Sequence, residues 1–275
     1  MDEGGPVSEF SPGWLALREP ADANARAVEL LDPLRDRLAG TIRPVIRDLG
    51  AGSGSMGRWL APRLGGPQHW VMHDRDPALL ALAASGMAQF PLVTVETRQG
   101  DVTRLTAADL AGASLVTASA LLDLLTAEEV DGLAEACVGA GSSALFTLSV
   151  AGRVDLSPAD PLDGELEDAF NDHQRRIHGT RALLGPDAPG AAAEAFERRG
   201  AMVMEQPSPW RLGPEHAALI AEWLRGWVGA AVEQRPELGE PAGSYLRRRL
   251  DATAEGDLRA TIDHRDLLAL APLSG

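Results

Sequence analysis

Not one lysine occurs in the 275 residues, so all 25 basic side chains are arginine. The absence of a primary amine on any side chain excludes phosphate loops that need a lysine, Schiff-base enzymes, protein kinases and Ser-Lys hydrolases. Cysteine is almost as scarce. Cys137 is the single one, which rules out an intrachain disulfide and points to a reducing compartment. Set among Leu133, Ala134 and Val138 in a helical pattern, it reads as a small buried filler. The chain has no run of about eighteen apolar residues and no charged-then-apolar leader at its start, so the expectation is a soluble, cytoplasmic protein with no membrane partner. Positive charge is also short. A net charge of −15 argues against a nucleic-acid partner, which calls for a basic face, and the run Arg247-Arg248-Arg249 reads as a solvated helix face. A small molecule is the expected partner, with a homodimer as the expected assembly.

What remains is ordinary globular material, 45% hydrophobic and 24% charged, long enough for one large domain or a domain with insertions. Residues 1–12 are rich in Gly, Pro and acid and read as a tail. Apolar residues at Ala25, Val28, Leu31, Leu34 and Leu38 predict one helix over 21–38. Strand-like segments at 44–49, 69–74, 92–98, 114–119 and 142–149 then alternate with helical ones at 56–64, 77–87 and 126–139. That alternation predicts an α/β fold with a parallel sheet covered on both faces. After Val150 the rhythm breaks. A polar helical stretch (161–178) and a second one opened by Pro214, with Leu219, Trp223, Leu224 and Trp227, interrupt a helix at 188–199 and strands at 201–206 and 258–264. The reading is a tail and capping helix over 1–40 and a main domain over 41–275, with helical inserts at about 155–185 and 210–255 covering the carboxyl edge of the sheet.

The segment Val45 to Arg58, VIRDLGAGSGSMGR, carries the most information. A β-branched run ends in Asp48 and passes into Gly50, Ala51, Gly52 and Gly54, a loop able to adopt positive φ and approach a ligand closely at a helix N-terminus. Twenty residues after Gly54, Asp74 closes the second strand, the spacing at which a carboxylate grips a ribose diol. Asp76-Pro77 reads as a helix cap. A third acid, Asp101, follows the third strand in Gly100-Asp101-Val102.

An acid, any residue, then Gly-x-Gly-x-Gly resembles motif I of the class I S-adenosylmethionine-dependent methyltransferases. The order Asp48, Asp74, Asp101 is similar to that family's first three motifs. The resemblance covers roughly Pro20 to Leu148. It implies a Rossmann-like doubly wound seven-stranded sheet, S-adenosylmethionine as cofactor and methyl transfer to O, N or C of a small metabolite. It further implies a cofactor site made of Asp48, Gly50, Ala51, Gly52, Gly54, Asp74, Arg75, Asp101, Val102 and Ser119, with Arg18 or Arg26 of an N-terminal helix meeting the methionine carboxylate. Ala118, Ser119 and Leu122-Asp123 stand where the fourth motif passes the methyl group. This chain reads Ser119-Ala120-Leu121-Leu122 in place of the Asn/Asp-Pro-Pro-Tyr/Phe of the base-modifying and glutamine-modifying branches, so those substrates are not expected. The catechol-type branch needs a lysine and is excluded with it.

For proton transfer the candidates are His173, in the polar insert, and Asp123. Trp14, Arg18, Asp22 and Arg26 recur at intervals of four and share a helix face. Trp210, Trp223 and Trp227 form a core set, a dimer contact or a cage for an aromatic or cationic acceptor. Two other readings stand beside methyl transfer: a nicotinamide- or flavin-binding oxidoreductase, because Gly52, Gly54 and Gly57 also satisfy Gly-x-Gly-x-x-Gly, and a repurposed protein that keeps the cofactor pocket without transfer.

Overall fold

The computed structural model describes residues 11–272, so most of the expected tail lies outside the described residues. Helix α1 (Pro12–Ala25) starts where the Ser11 hydroxyl accepts the Trp14 N–H at 3.1 Å and Pro12 fills the first turn. The helix expected over 21–38 is in fact split. α1 runs through Pro20 and ends at Arg26, whose ψ of 132° is not helical; a 3₁₀ turn (Val28–Leu30) then leads into α2 (Leu31–Leu38). The cause is distant in sequence: the Ala27 N–H donates to Asp266 Oδ2 at 2.8 Å instead of to a helical carbonyl.

The alternating region follows the expected order: β1 (Val45–Leu49), α3 (Ser55–Leu64), β2 (Gln68–Asp74), α4 (Pro77–Met87), β3 (Val93–Gln99), β4 (Leu115–Ser119), α5 (Ala127–Gly139) and β5 (Ser143–Ser157). Next come α6 (Asp163–Gln174), a small hairpin of β6 (Ile177–His178) and β7 (Arg181–Ala182), α7 (Ala188–Glu197), β8 (Met202–Pro207), β9 (Trp210–Leu212), α8 (Ala217–Gln234), α9 (Gly239–Glu255) and β10 (Arg259–Leu270). The main sheet has the order β3-β2-β1-β4-β5-β10-β8, with β9 added along β10. Strands β1 to β5 are parallel, whereas β10 runs antiparallel to both β5 and β8. The chain reverses its direction of winding between β1 and β4, which opens a crevice at their carboxyl ends.

Each face of the sheet has its own apolar layer. Leu34, Trp59, Leu60 and Met87 of α2, α3 and α4 pack against Ile46 and Met72 on one side, while α5 and α7 cover the other, with Phe146 and Phe196 ring centroids 5.7 Å apart. Cys137 is fully buried in the second layer, and burial pushes its thiol up to about 12, in keeping with a filler.

Strands β5 and β10 outrun the sheet. Beyond it Leu156 pairs with Ala260 and Val154 with Ile262, after register shifts near His264 and Asp266, and this ribbon supports a third core made by α6, α8 and α9. Trp223 and Trp227 stack there at 5.2 Å. Arg247 and Arg248 are exposed as expected, but Arg249 is buried: its Nη2 reaches Asp163 at 2.5 Å and its Nη1 the Pro158 carbonyl at 2.5 Å, so this one arginine of the run fastens α9 to the start of α6.

Candidate functional site

The loop from β1 into α3 is tied to the end of β2. Gly50, Gly52 and Gly54 have φ of 63°, 53° and 89°. At Gly54 glycine is required twice over, since a Cβ there would stand 2.9 Å from the Ala83 Cα of α4. The Gly52 N–H donates to Asp74 Oδ2 at 2.8 Å, and Asp74 Oδ1 accepts the Asp76 N–H at 3.0 Å. Asp76 caps α4 by accepting the Ala78 N–H at 2.7 Å, the role expected of it. Arg58 donates to the Ser53 carbonyl at 2.6 Å and pairs with Glu19 of α1 at 2.5 Å, so the same loop is braced against the N-terminal helix.

A cavity of about 830 Å³ opens above these strand ends. Its wall is supplied by the glycine loop with Asp48, by Asp74 to Pro77, by Gln99, Gly100, Val102 and Thr103, by Ser119 to Leu121, by Leu15, Arg18 and Asp22 of α1, and by Arg176, His178, Arg181 and Leu183 around the hairpin. Ala120 adopts a φ of 50° where the chain leaves β4, a conformation uncommon for a residue with a Cβ, and its N–H is held by the Thr147 carbonyl at 2.9 Å.

Two buried charges of opposite sign sit at the inner end. Asp48 is 1% exposed; its Oδ1 accepts the Thr117 hydroxyl at 2.8 Å and its Oδ2 has no partner among the described residues. Burial pushes this carboxyl up to about 7, against the Thr117 hydrogen bond and Arg26, which pull it down. Arg26 lies over the Trp59 ring, 5.5 Å from its centroid, and its Nη2 donates to the hydroxyls of Ser55 and Ser119, both at 3.1 Å. Its Nη1 has no partner among the described residues. Ser55 and Ser119 both line the cavity, so Arg26 stands just behind its surface.

Of the residues singled out in the sequence, Asp48, Gly50, Ala51, Gly52, Asp74, Arg75, Val102, Ser119 and Arg18 line this cavity, and Gly54 supports it from the start of α3. The remaining candidates do not line the cavity. Asp101 is not on the cavity surface: it accepts the Thr103 N–H at 2.9 Å and pairs with Arg75 at 2.9 Å. Although burial works to raise it, these contacts and the Thr103 hydroxyl pull it down to about 2. His173 does not reach the cavity either, because its ring is fixed between Glu233, 3.3 Å from Nε2, and Arg176, 2.9 Å from Nδ1. Burial and the neighbouring Arg176 push it below the ordinary histidine range. Asp123 also lies off the surface, with Oδ1 buried and unpartnered, and burial pushes its carboxyl up. Trp210, Trp223 and Trp227 are packing residues, the core set among the readings given above; no Phe, Tyr or Trp side chain lines the cavity among the described residues.

The sequence reading passed over Arg176 and His178, which the hairpin carries to the wall. A short two-stranded turn between helices leaves no periodic signal. Asp266 was missed too, since nothing local marks an acid in a buried strand as a clamp for two backbone N–H groups.

Residues 46–140, which include the glycine loop and the ends of β1 to β4, match the family model described as a methyltransferase domain. Over that segment the chain is similar to methyltransferase domains. Among solved structures the chain is similar to a cyclopropane synthase from Mycobacterium tuberculosis, with a TM-score of 0.51 at 12% identity, covering 95% of this chain and 95% of that one. A second similar structure is an S-adenosylmethionine-dependent methyltransferase from Geobacter sulfurreducens in complex with S-adenosylhomocysteine, with a TM-score of 0.45 and 17% identity, covering 97% and 100% of the two chains. At 12% identity the likeness to the synthase speaks for the fold alone. No curated protein matches the chain.

Proposed function

We propose that this methyltransferase moves the methyl group of S-adenosylmethionine to an oxygen, nitrogen or carbon of a small metabolite. The observation that carries the reading is the pair of unpartnered buried charges beside the glycine loop, Asp48 Oδ2 and Arg26 Nη1. Together they complement a zwitterionic amino-acid tail, with Asp48 taking the ammonium and Arg26 the carboxylate. Of the two arginines expected for that role, Arg26 is favoured because Arg18 is already engaged by Asp22 at 2.9 Å and by the faces of Trp14 and Trp210. Asp74 retains a free lone pair on each oxygen for the ribose hydroxyls, and the Gly100 to Val102 backbone meets the adenine. Ser119 to Leu121 then runs past the sulfur.

When bound, S-adenosylmethionine supplies an electrophilic methyl group on a sulfonium. The work left to the protein is alignment, from α1, the loop after β4 and the hairpin, and exclusion of water by Leu15, Leu121, Leu124, Leu125 and Leu183. His178 is the histidine of the cavity wall and takes the place of His173 as the group to test for proton transfer. A dinucleotide fits less well, since its pyrophosphate would lie on the glycine loop beside a buried, unpaired Asp48.

Calorimetric titration with S-adenosylmethionine tests the assignment. Asp74→Ala is expected to weaken binding by about 1–3 kcal/mol while far-ultraviolet circular dichroism is unchanged. Unaltered affinity in that variant, or binding of a nicotinamide nucleotide in preference, would overturn the cofactor reading. Tight cofactor binding with no S-adenosylhomocysteine formed from any acceptor would identify the repurposed reading instead.

A further inference from the structure

The half of the cavity left for the acceptor, on the methyl-transfer reading, is walled by α1, the loop after β4 and the β6–β7 hairpin. Its apolar surface is leucine, and its polar groups are Arg18, Arg176, Arg181 and His178. The one carboxylate it contains, Asp22, already accepts from Arg18 at 2.9 Å and from Trp210 Nε1 at 2.9 Å. With neither a free carboxylate nor a Phe, Tyr or Trp ring among the described residues, this wall is poorly matched to a cationic acceptor. It is a concentration of arginine in a chain whose net charge is −15.

The arginines differ in how they are held. Arg18 is paired with Asp22, and Arg181 is bound by Glu129, with Nη2 at 2.6 Å, and by the Leu124 carbonyl at 2.9 Å. Arg176 has no carboxylate within ion-pair distance among the described residues. Its Nη1 donates to the His173 carbonyl at 3.0 Å and meets the His173 ring at 2.9 Å, contacts that position the guanidinium without neutralising it. A half-buried cation fixed by neutral groups at a cavity surface is a built site for an anion, and the planar fork of arginine suits an oxyanion.

We propose that the acceptor is a small organic anion with an apolar body, its carboxylate or phosphate held by Arg176 and its body lying against Leu15, Leu121, Leu124, Leu125 and Leu183. Arg176 is then the residue that selects the acceptor, and it acts independently of the cofactor.

The test is calorimetry with hexanoate, hexyl phosphate and hexanamide, run on the full chain both saturated with S-adenosylhomocysteine and free of it. S-adenosylhomocysteine alone is first titrated into wild type and Arg176→Gln, and equal affinities are expected. At least one of the two anions should bind about tenfold or more tightly than the amide. Arg176→Gln should lose that preference and Arg176→Lys keep part of it, and the stronger anion distinguishes carboxylate from phosphate. Equal binding of amide and anions, no binding of any of the three, or a preference that survives Arg176→Gln overturns the proposal. Failure of S-adenosylhomocysteine to bind wild type would instead count against the methyl-transfer reading, while the titrations without it still report on Arg176.

Discussion

Asp48 holds a carboxylate that is only 1% exposed at the inner end of the cavity, and that has a consequence for pH. In the folded chain the group is pushed up to about 7, well above the ordinary carboxylate range, by burial above all. Between pH ~4 and 7 the folded state therefore keeps a proton that the unfolded state has released, so this group lowers stability as pH rises through that window, and the loss is complete above it. Asp48→Asn retains an acceptor for the Thr117 hydroxyl and removes the charge. Without ligand the variant is expected to be more stable than wild type at pH 8 by about 1–3 kcal/mol in urea unfolding, with the gain absent at pH 4. Cofactor binding should show the opposite dependence. The ammonium of the cofactor needs the ionised form, so the affinity of wild type for S-adenosylhomocysteine should rise between pH 6 and 7.5, and that of Asp48→Asn should be weaker and flat when measured by calorimetry.

Helix α1 is a wall of the site that the sheet does not itself supply. It is fastened by Glu19 to Arg58, by Asp22 to Trp210, by the Ala23 carbonyl to Trp59 Nε1 at 3.1 Å, and at its exit by Asp266. Asp266 is fully buried in β10 and holds two backbone groups, the Ala27 N–H at 2.8 Å and the Leu148 N–H at 2.7 Å, the latter in a residue with φ of 56°. Asp266→Ala would orphan both, and it should cost about 2–4 kcal/mol in urea unfolding and weaken cofactor binding by freeing the chain at Arg26. Asp266→Asn keeps an acceptor for one of them and should cost less. This clamp also explains what could be read in advance. The alternation of strands and helices up to Val150, the glycine loop and the cap at Asp76 were legible because each is a local pattern of polarity, backbone freedom or capping. The break at Arg26 was not, since its cause lies 239 residues away from Ala27. His173 stands off the cavity because no residue of α6 lines the wall and its ring turns toward α8 and Glu233, while the hairpin beyond it carries His178 and Arg181 there.

Across the whole molecule, three apolar cores meet around a single stretch of strand ends, two of them flanking the sheet and the third built on the overhanging ribbon of β5 and β10. The cavity draws its wall from α1, four strand ends and the hairpin, so ligand binding should be felt globally. S-adenosylhomocysteine at a hundred times its dissociation constant is expected to add ~2.7 kcal/mol to stability. For a domain of this size that raises the melting temperature by ~5 °C or more, which differential scanning calorimetry can check. The clamp on Ala27 and Leu148 also bears on biosynthesis. Domains fold as the ribosome delivers them, amino end first, and here the acid that seats the opening helix belongs to the final strand. A nascent chain can form the glycine loop and its neighbouring strands early, but it closes the pocket only after β10 has emerged.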